Sequence, residues 1–301
     1  MVTGEQPARL VALDWGSTRL RAFLLGADGA VLAQRQSGQG ASTLSGDAAF
    51  AQAFAAITAD WPALPALACG MVGSQHGWRE APYAPCPADA AALARQALQL
   101  DDRIRILPGL LYDGAQPDVM RGEETQIVGA LALHPELAEQ SCLVLPGTHS
   151  KWARVEAGRV TGFATHMTGE LYALLRQHSV LARLMPADGA SPPSSQAFLA
   201  GVDAARADGA LSHQLFSVRT LGLFKRLAAE QLPDYLSGLL IGHEIAHELA
   251  AGAPARLALV GDPALCGRYV LALGRFGIDA PLQLDNTAPA GLWRLAQTLG
   301  L

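Results

Sequence analysis

Short apolar runs that stop at small polar residues set the pattern of this chain. Leu10 to Leu13 is the first, and it ends at Asp14-Trp15-Gly16-Ser17-Thr18, which predicts a strand entering a polar, glycine-containing turn. Arg19 to Leu25 reads as a second strand, Gly26-Ala27-Asp28-Gly29 as a turn and Ala30 to Gln34 as a third strand. Asp47 to Thr58 reads as a helix, and Leu67 to Val72 as a strand opening into Gly73-Ser74-Gln75-His76-Gly77-Trp78. A similar unit recurs further along. Ser141 to Leu145 is an apolar strand ending at Pro146-Gly147-Thr148-His149-Ser150-Lys151, followed by strands over Trp152 to Val155 and Val160 to Thr165 around a turn at Glu156 to Gly158. The repeat is one of pattern, with little identity. Two copies of one fold facing each other would place both polar turns at a shared cleft.

Between the copies, Met120-Arg121-Gly122-Glu123-Glu124-Thr125-Gln126 opens an apolar helix that runs through Leu133. The second half reads as mostly helical, over Gly169 to Leu184, Gln214 to Leu232 and Tyr235 to Ala251. Arg256 to Val260 reads as a strand, Gly261-Asp262-Pro263 as a turn and Ala264 to Phe276 as a helix, while Pro192-Pro193 marks a surface loop.

Composition narrows the classes. The 301 residues suffice for two medium domains or one large one, and half are hydrophobic, so a sizeable core can be buried. Charged residues make up 16% and the net charge is −5, with no Lys/Arg cluster, which argues against nucleic acid or an anionic membrane as partner. The four cysteines, Cys69, Cys86, Cys142 and Cys266, form no Cys-x-x-Cys pair and suggest no disulfide framework. Met1 to Arg9 lacks the apolar core of a signal peptide, and no apolar run is long enough to span a bilayer. The expectation is a reduced, cytoplasmic, soluble protein.

Four segments carry candidate chemistry. In Asp14 to Thr18, Gly16 permits close backbone approach to a phosphate, Ser17 and Thr18 offer hydroxyl and amide donors, and Asp14 could hold Mg²⁺ through water. An ordinary capped turn is the plainer reading. In Gly147 to Lys151, glycine and hydroxyl residues again follow an apolar strand, and Lys151 adds a point charge suited to phosphate or carboxylate; the plainer reading is a hairpin turn with one exposed Lys. Gly122-Glu123-Glu124 offers paired carboxylates for a group that must orient a hydroxyl and accept its proton, although acids also populate first helical turns simply to complement the helix dipole. Gly261-Asp262-Pro263 is a turn that can lie flat against a nucleotide base.

His243-Glu244-Ile245-Ala246-His247 matches His-Glu-x-x-His, which on a helix places two imidazoles on one face and could bind zinc. No Glu follows Glu248, and the positions of the extended pattern are Ala250 and Ala253, so these residues read as polar positions on an otherwise apolar helix. Of His76, His149 and His166, only His149 is placed near phosphates. Trp15 and Trp78 read as packing residues, with Trp78 also able to border a sugar site.

Taken together, Leu13 to Thr18, Gly70-Met71-Val72-Gly73-Ser74, Met120 to Gln126, Leu145 to Trp152, Met167-Thr168-Gly169-Glu170-Leu171 and Leu236-Ser237-Gly238-Leu239-Leu240-Ile241-Gly242 resemble the 2-dehydro-3-deoxygalactonokinase family of the actin/sugar-kinase/Hsp70 superfamily, nearly end to end. The resemblance implies an α/β chain of two ribonuclease-H-like (actin-like ATPase) domains hinged around a nucleotide cleft, here placed at 1–135 and 136–301. It implies transfer of the ATP γ-phosphoryl, with Mg²⁺, to the 6-hydroxyl of 2-dehydro-3-deoxy-D-galactonate in galactonate breakdown. By that analogy Asp14 to Thr18 is the first phosphate loop, with Asp14 anchoring the metal. Gly147 to Lys151, with Thr148 and His149, is the second loop, and the Gly261 turn is the adenosine site. Related kinases carry a Gly-Asp pair where this chain has Gly122-Glu123, so Glu123 is taken as the base and Glu124 as second choice. The sugar wall is taken as Gly73 to Trp78, with Gly73, Ser74 and Trp78 as contacts, and the substrate carboxylate is assigned to Arg121, Arg79 or Lys151 without a choice among them. Rival readings are a kinase for another sugar acid or an amino sugar, a phosphoanhydride phosphatase of the same superfamily, and a binder that has lost catalysis. A homodimer is an assembly the sequence leaves open.

Overall fold

The computed structural model describes residues 7–187, 193–207 and 209–301; Pro192 and the first six residues lie outside that set. The first meander forms as the pattern predicts. Strand β1 (Ala8–Trp15) is central, its edges paired antiparallel with β2 (Leu20–Gly26) and parallel with β4 (Ala66–Cys69), and the burial of successive residues from Leu10 to Trp15 shows that both of its faces are covered. Strand β3 (Val31–Ser37) is the edge strand and carries the exposed, polar-alternating sequence that an edge requires. Helix α1 (Asp47–Ile57) follows it, burying Phe50, Ala53 and Ile57.

Beyond β4 come β5 (Tyr83–Pro85), α2 (Ala90–Arg95), β6 (Leu98–Gln99), β7 (Ile104–Ile106), β8 (Gly109–Tyr112) and β9 (Asp118–Met120), then α3 (Glu123–Leu133). The first sheet has the order β3-β2-β1-β4-β7-β6, and β5-β8-β9 form a small separate sheet. The strand expected over Leu67 to Val72 stops at Cys69. Gly70 takes φ 94°, which turns the chain into a 3-10 turn over Met71–Gly73.

The second meander comprises β10 (Gln140–Leu145), β11 (Ser150–Glu156) and β12 (Arg159–His166). Helices α4 (Thr168–His178), α5 (Ser195–Arg206), α6 (Leu211–Leu223) and α7 (Leu232–Glu248) follow, then β13 (Leu257–Val260), α8 (Pro263–Gly274), β14 (Leu282–Leu284) and α9 (Ala288–Leu299). The second sheet has the order β12-β11-β10-β13-β14, so a three-strand meander extended on the side of its first strand occurs twice, by three further strands in the first sheet and two in the second. Two expected helices are shorter than their apolar periodicity. The one over Gly169 to Leu184 breaks at Ser179, whose hydroxyl accepts from the Leu181 amide and starts a separate 3-10 turn. The one over Gln214 to Leu232 ends at Leu223, with Lys225 in the left-handed region at φ 55°.

The chain divides into two compact units, one of residues 1–143, 153–164 and 286–301, the other of 144–152 and 165–285. In the first, Val11, Leu13, Trp15, Phe50 and Ile106 belong to one apolar core, and α3 crosses α9 so closely that a Cβ on Gly129 would stand 2.0 Å from the Thr287 carbonyl oxygen. In the second, α7 carries the core through Leu236, Leu239 and Leu240. Among the described residues no helix is long and apolar enough to cross a membrane.

Candidate active site

In the first unit, β1 delivers Asp14 to the edge of the core at 8% exposure, where its Oδ2 meets Arg21 Nη2 at 3.0 Å across the β1–β2 pair. Burial pushes the Asp14 pKa up, Arg21 pulls it down and Glu123 pushes it up again. The turn beyond is braced from behind. The Ala41 amide donates to the Gly16 carbonyl at 2.9 Å, and the Ser42 amide and hydroxyl both donate to the Ser17 carbonyl. Ser17 and Thr18 remain exposed. A rigid backbone with free hydroxyls fits a phosphate loop.

The start of α3 is the second element of this site. Gly122 has φ 114°, a conformation that side chains rarely adopt, and a Cβ there would stand 3.3 Å from the Gly70 α-carbon. This fold places two glutamates differently. Glu123 is half-buried and accepts from the Arg121 amide at 3.1 Å. Glu124 is 1% exposed and accepts from the Gly122 amide at 2.6 Å and from the Thr125 hydroxyl at 3.1 Å. Burial, with Glu123 beside it, pushes the Glu124 pKa up to about 8. A general base must be reachable by its substrate; Glu123 is the more exposed of the pair, whereas Glu124 is buried and borders a cavity of about 730 Å³ with Ile127, Val128 and Leu131 of α3.

Of the expected sugar wall, the structure brings Gly73 and Arg121 together, since a Cβ on Gly73 would stand 3.0 Å from Arg121 Nη1. Arg121 Nη2 donates to the Ala81 carbonyl at 2.8 Å and the guanidinium lies 4.2 Å over the Tyr83 ring, while Nε and Nη1 are buried without a hydrogen-bond partner. Ser74 follows the 3-10 turn, its amide donating to Met71. Trp78 stacks on Phe50 and meets the edge of Trp15, a packing role. Arg79 is spent on an exposed pair with Asp47 at 2.8 Å.

In the second unit, Gly147, Thr148, Thr168, Gly169, Arg268 and Tyr269 are among the residues lining a cavity of about 360 Å³. The loop Gly147–Lys151 is tied to the start of α4. The Glu170 amide donates to the Thr148 carbonyl at 3.0 Å, and His149 Nε2 pairs with Glu170 Oε2 at 2.5 Å. Lys151 is not the exposed residue of a simple hairpin: it is 4% exposed and its ammonium donates to the His149 carbonyl at 2.9 Å, bracing the loop from within. Gly261, at φ 141°, donates its amide to Leu284 and is not among the cavity's lining residues; Asp262 caps α8 through the Leu265 amide. The wall formed by Thr168, Ser237, Leu265 and Arg268 went unassigned from the sequence, although Thr168 and Ser237 fall within segments quoted for the resemblance.

The His-Glu-x-x-His segment builds no zinc site. His243 pairs with Gln214, Glu244 faces Trp152, Thr168 and Tyr269, and His247 meets the edge of the His166 ring. Among the described residues no group of three or more His, Cys, Asp or Glu side chains is arranged to hold a metal ion. Magnesium in phosphoryl transfer needs no such cage, because one or two carboxylates suffice beside the substrate's own phosphates. The hard oxygens of Asp14 fit that demand.

Comparison with known proteins gives one direction. The family profile of 2-keto-3-deoxy-galactonokinase matches residues 14–295. The 2-dehydro-3-deoxygalactonokinase of Escherichia coli (strain K12) is 39% identical over 298 residues, covering 97% of this chain and 99% of that one. The crystal structure of a candidate 2-dehydro-3-deoxygalactonokinase from Sinorhizobium meliloti superimposes with a TM-score of 0.87 at 39% identity, covering 96% of this chain and 99% of that one. At 13% identity and a TM-score of 0.51, component A of (R)-2-hydroxyglutaryl-CoA dehydratase from Acidaminococcus fermentans shares the fold alone, over 97% of this chain and 99% of that one. The architecture is mixed α/β, with two compact units and two sheets that each begin with a three-strand meander. The chain belongs to the 2-keto-3-deoxy-galactonokinase family.

Proposed function

We propose that this chain transfers the γ-phosphoryl group of ATP to the 6-hydroxyl of 2-dehydro-3-deoxy-D-galactonate, a cytoplasmic step of galactonate breakdown. The observation that carries the reading is the split pair at the start of α3, a reachable Glu123 beside a buried Glu124, with Asp14 close enough for Glu123 to shift its titration. In the proposed step the sugar hydroxyl attacks the γ-phosphorus and its proton passes to Glu123. The bond from that phosphorus to the β,γ-bridging oxygen breaks, and ADP leaves. Glu124, holding its own proton near neutral pH, keeps a second negative charge away from Glu123. Arg121 is the residue we assign to the substrate carboxylate, because its Nε and Nη1 have no hydrogen-bond partner and it lies beside Gly73 of the proposed sugar wall. Nucleotide belongs with the cavity at Gly147, Thr148 and Thr168. Mg²⁺, held by Asp14 through water, would neutralise charge on the phosphate oxygens.

The test is ADP release by the purified chain with three supplies: the galactonate-derived acid, its gluconate-derived epimer, and no acceptor. ADP release that depends on the galactonate-derived acid is expected. Phosphate release without any acceptor would replace the kinase by a phosphatase, and preference for the epimer would change the substrate.

A further inference from the structure

The His-Glu-x-x-His segment of α7 is the one sequence motif that the kinase reading leaves without a role. Its glutamate lies inside the second unit at 3% exposure. Trp152 Nε1 donates to Glu244 Oε1 at 2.8 Å, Thr168 Oγ1 donates to Oε2, and the Tyr269 hydroxyl lies 2.9 Å from Oε2 and 3.0 Å from Oε1. That hydroxyl is also 2.8 Å from Ser150 Oγ, which in turn accepts from the Gly147 amide at 3.4 Å.

The direction of every link follows from the two ends. An ionised carboxylate only accepts and a backbone amide only donates, whereas a hydroxyl has one proton to give. Tyr269 must give its proton to Glu244, so its oxygen accepts from Ser150. Ser150 then has no proton left for another acceptor and accepts from Gly147. The result is a one-way chain from the Gly147 amide through Ser150 and Tyr269 to Glu244, with Thr168 as a second branch. Burial raises the Glu244 pKa by more than its donors and His166 lower it, and the direction of the chain is set by geometry: three donors converge on its two oxygens, and the ionised form is the one that accepts all three protons at once. Burial also pushes the Tyr269 pKa well up, so the phenol keeps its proton.

Gly147, Thr168 and Tyr269 line the 360 Å³ cavity, whereas Glu244 and Ser150 do not. The start of α4 is pressed onto the same loop, since a Cβ on Gly169 would stand 2.4 Å from the Gly147 carbonyl oxygen. We propose that Glu244 is a positioning residue for the nucleotide: through Tyr269 and Ser150 it fixes the loop at Gly147, and through Thr168 it fixes the facing wall of the cavity. The proposal rests on the reading that this cavity takes ATP.

Glu244→Gln keeps the volume but presents an amide that donates, so one link must reverse or break. The KM for ATP should rise about tenfold, equivalent to ~1.4 kcal/mol, with kcat at saturating ATP within about twofold of wild type. Ser150→Ala cuts the same chain at its middle and should raise the same KM; the double variant should be no worse than the weaker-binding single one, because both remove one device. Tyr235→Phe serves as control. It deletes another buried hydroxyl of this unit, bonded to Ser217 at 2.9 Å, and should lower the melting temperature while leaving the KM for ATP unchanged. Wild-type KM in both Glu244→Gln and Ser150→Ala, whatever their melting temperatures, would overturn the proposal, and Ser150→Ala carries the test if the glutamine variant does not fold. Calorimetric titration of ADP into the wild-type chain separates the two levels. No ADP binding defeats the nucleotide reading and this proposal together, whereas wild-type binding matched by both variants defeats only the positioning role.

Discussion

Glu124 and Glu244 are almost equally hidden from water, at 1% and 3% exposure, but their surroundings are opposite. Glu244 meets a tryptophan N–H and two hydroxyls and stands alone as an acid among them. Glu124 has its own amide, the Gly122 amide and the Thr125 hydroxyl, but a second glutamate presses on it. A buried carboxylate with a full set of donors is a structural fixture, because its charge is met by groups that cannot leave. One placed against another acid is held away from its ordinary titration range, and such perturbation concentrates where proton transfer takes place. On the function and the positioning role proposed above, the first unit carries the reactive carboxylates, while the acid of the second unit orders its binding loop.

Removing the reachable acid of the first unit should have the largest effect. Glu123→Gln retains shape and the contact with the Arg121 amide but cannot take a proton, and loss of a general base costs about 100- to 10,000-fold in rate. Turnover measured by ADP release should fall by that factor while ADP binding stays at its wild-type value. Near-wild-type turnover would return Glu123 to a dipole-complementing surface acid and erase the contrast between the units. A smaller effect is expected at Arg121. A hydrogen bond to a charged group contributes ~1.5–3 kcal/mol, so Arg121→Ala should raise the KM for the sugar acid about 10- to 100-fold with little change in the KM for ATP. An unchanged sugar-acid KM would mean that another cation holds the carboxylate.

The elements were legible in the sequence where the signal was local, and the polar contacts were not. β1 and β10 announce themselves as apolar runs because central strands are covered on both faces. The start of α3 is visible in Gly122 followed by two acids, and the repetition of strand order is visible in the paired meanders. The break at Ser179 is hidden because the apolar period runs through it and only the serine cap stops the helix. Glu244 reads as one polar position on an apolar helix. Its partners Trp152 and Thr168 lie 92 and 76 residues away, and the Ser150–Tyr269 link spans 119 residues, so no window of sequence could relate them. Nor does sequence separate Glu123 from Glu124, because which of two adjacent acids turns inward depends on the φ of Gly122 and the close approach of Gly70.

The smallest effect tests the comparison most directly, through pH. The folded-state pKa of Glu124 is about 8, above its ordinary value of 4.5, so over that interval the folded chain holds a proton that the unfolded chain has released. Stability must then fall as pH rises from about 4.5 to about 8, with a slope of at most ~1.4 kcal/mol per pH unit for this single group, and level off above. Glu124→Gln imitates the protonated acid at every pH: its oxygen can still accept from the Gly122 amide, and it has no charge to bury. In buffer with chelator, its melting temperature should match wild type near pH 5 and exceed it by several degrees at pH 8.5, a difference that grows steadily between. Burial raises the Glu244 pKa as well, but the same substitution there forfeits at least one of three donated hydrogen bonds, so its melting temperature should lie below that of Glu124→Gln throughout this pH range. Parallel melting curves for wild type and Glu124→Gln would mean that Glu124 is ionised in the fold like any surface acid, and the asymmetry between the two buried glutamates would be gone.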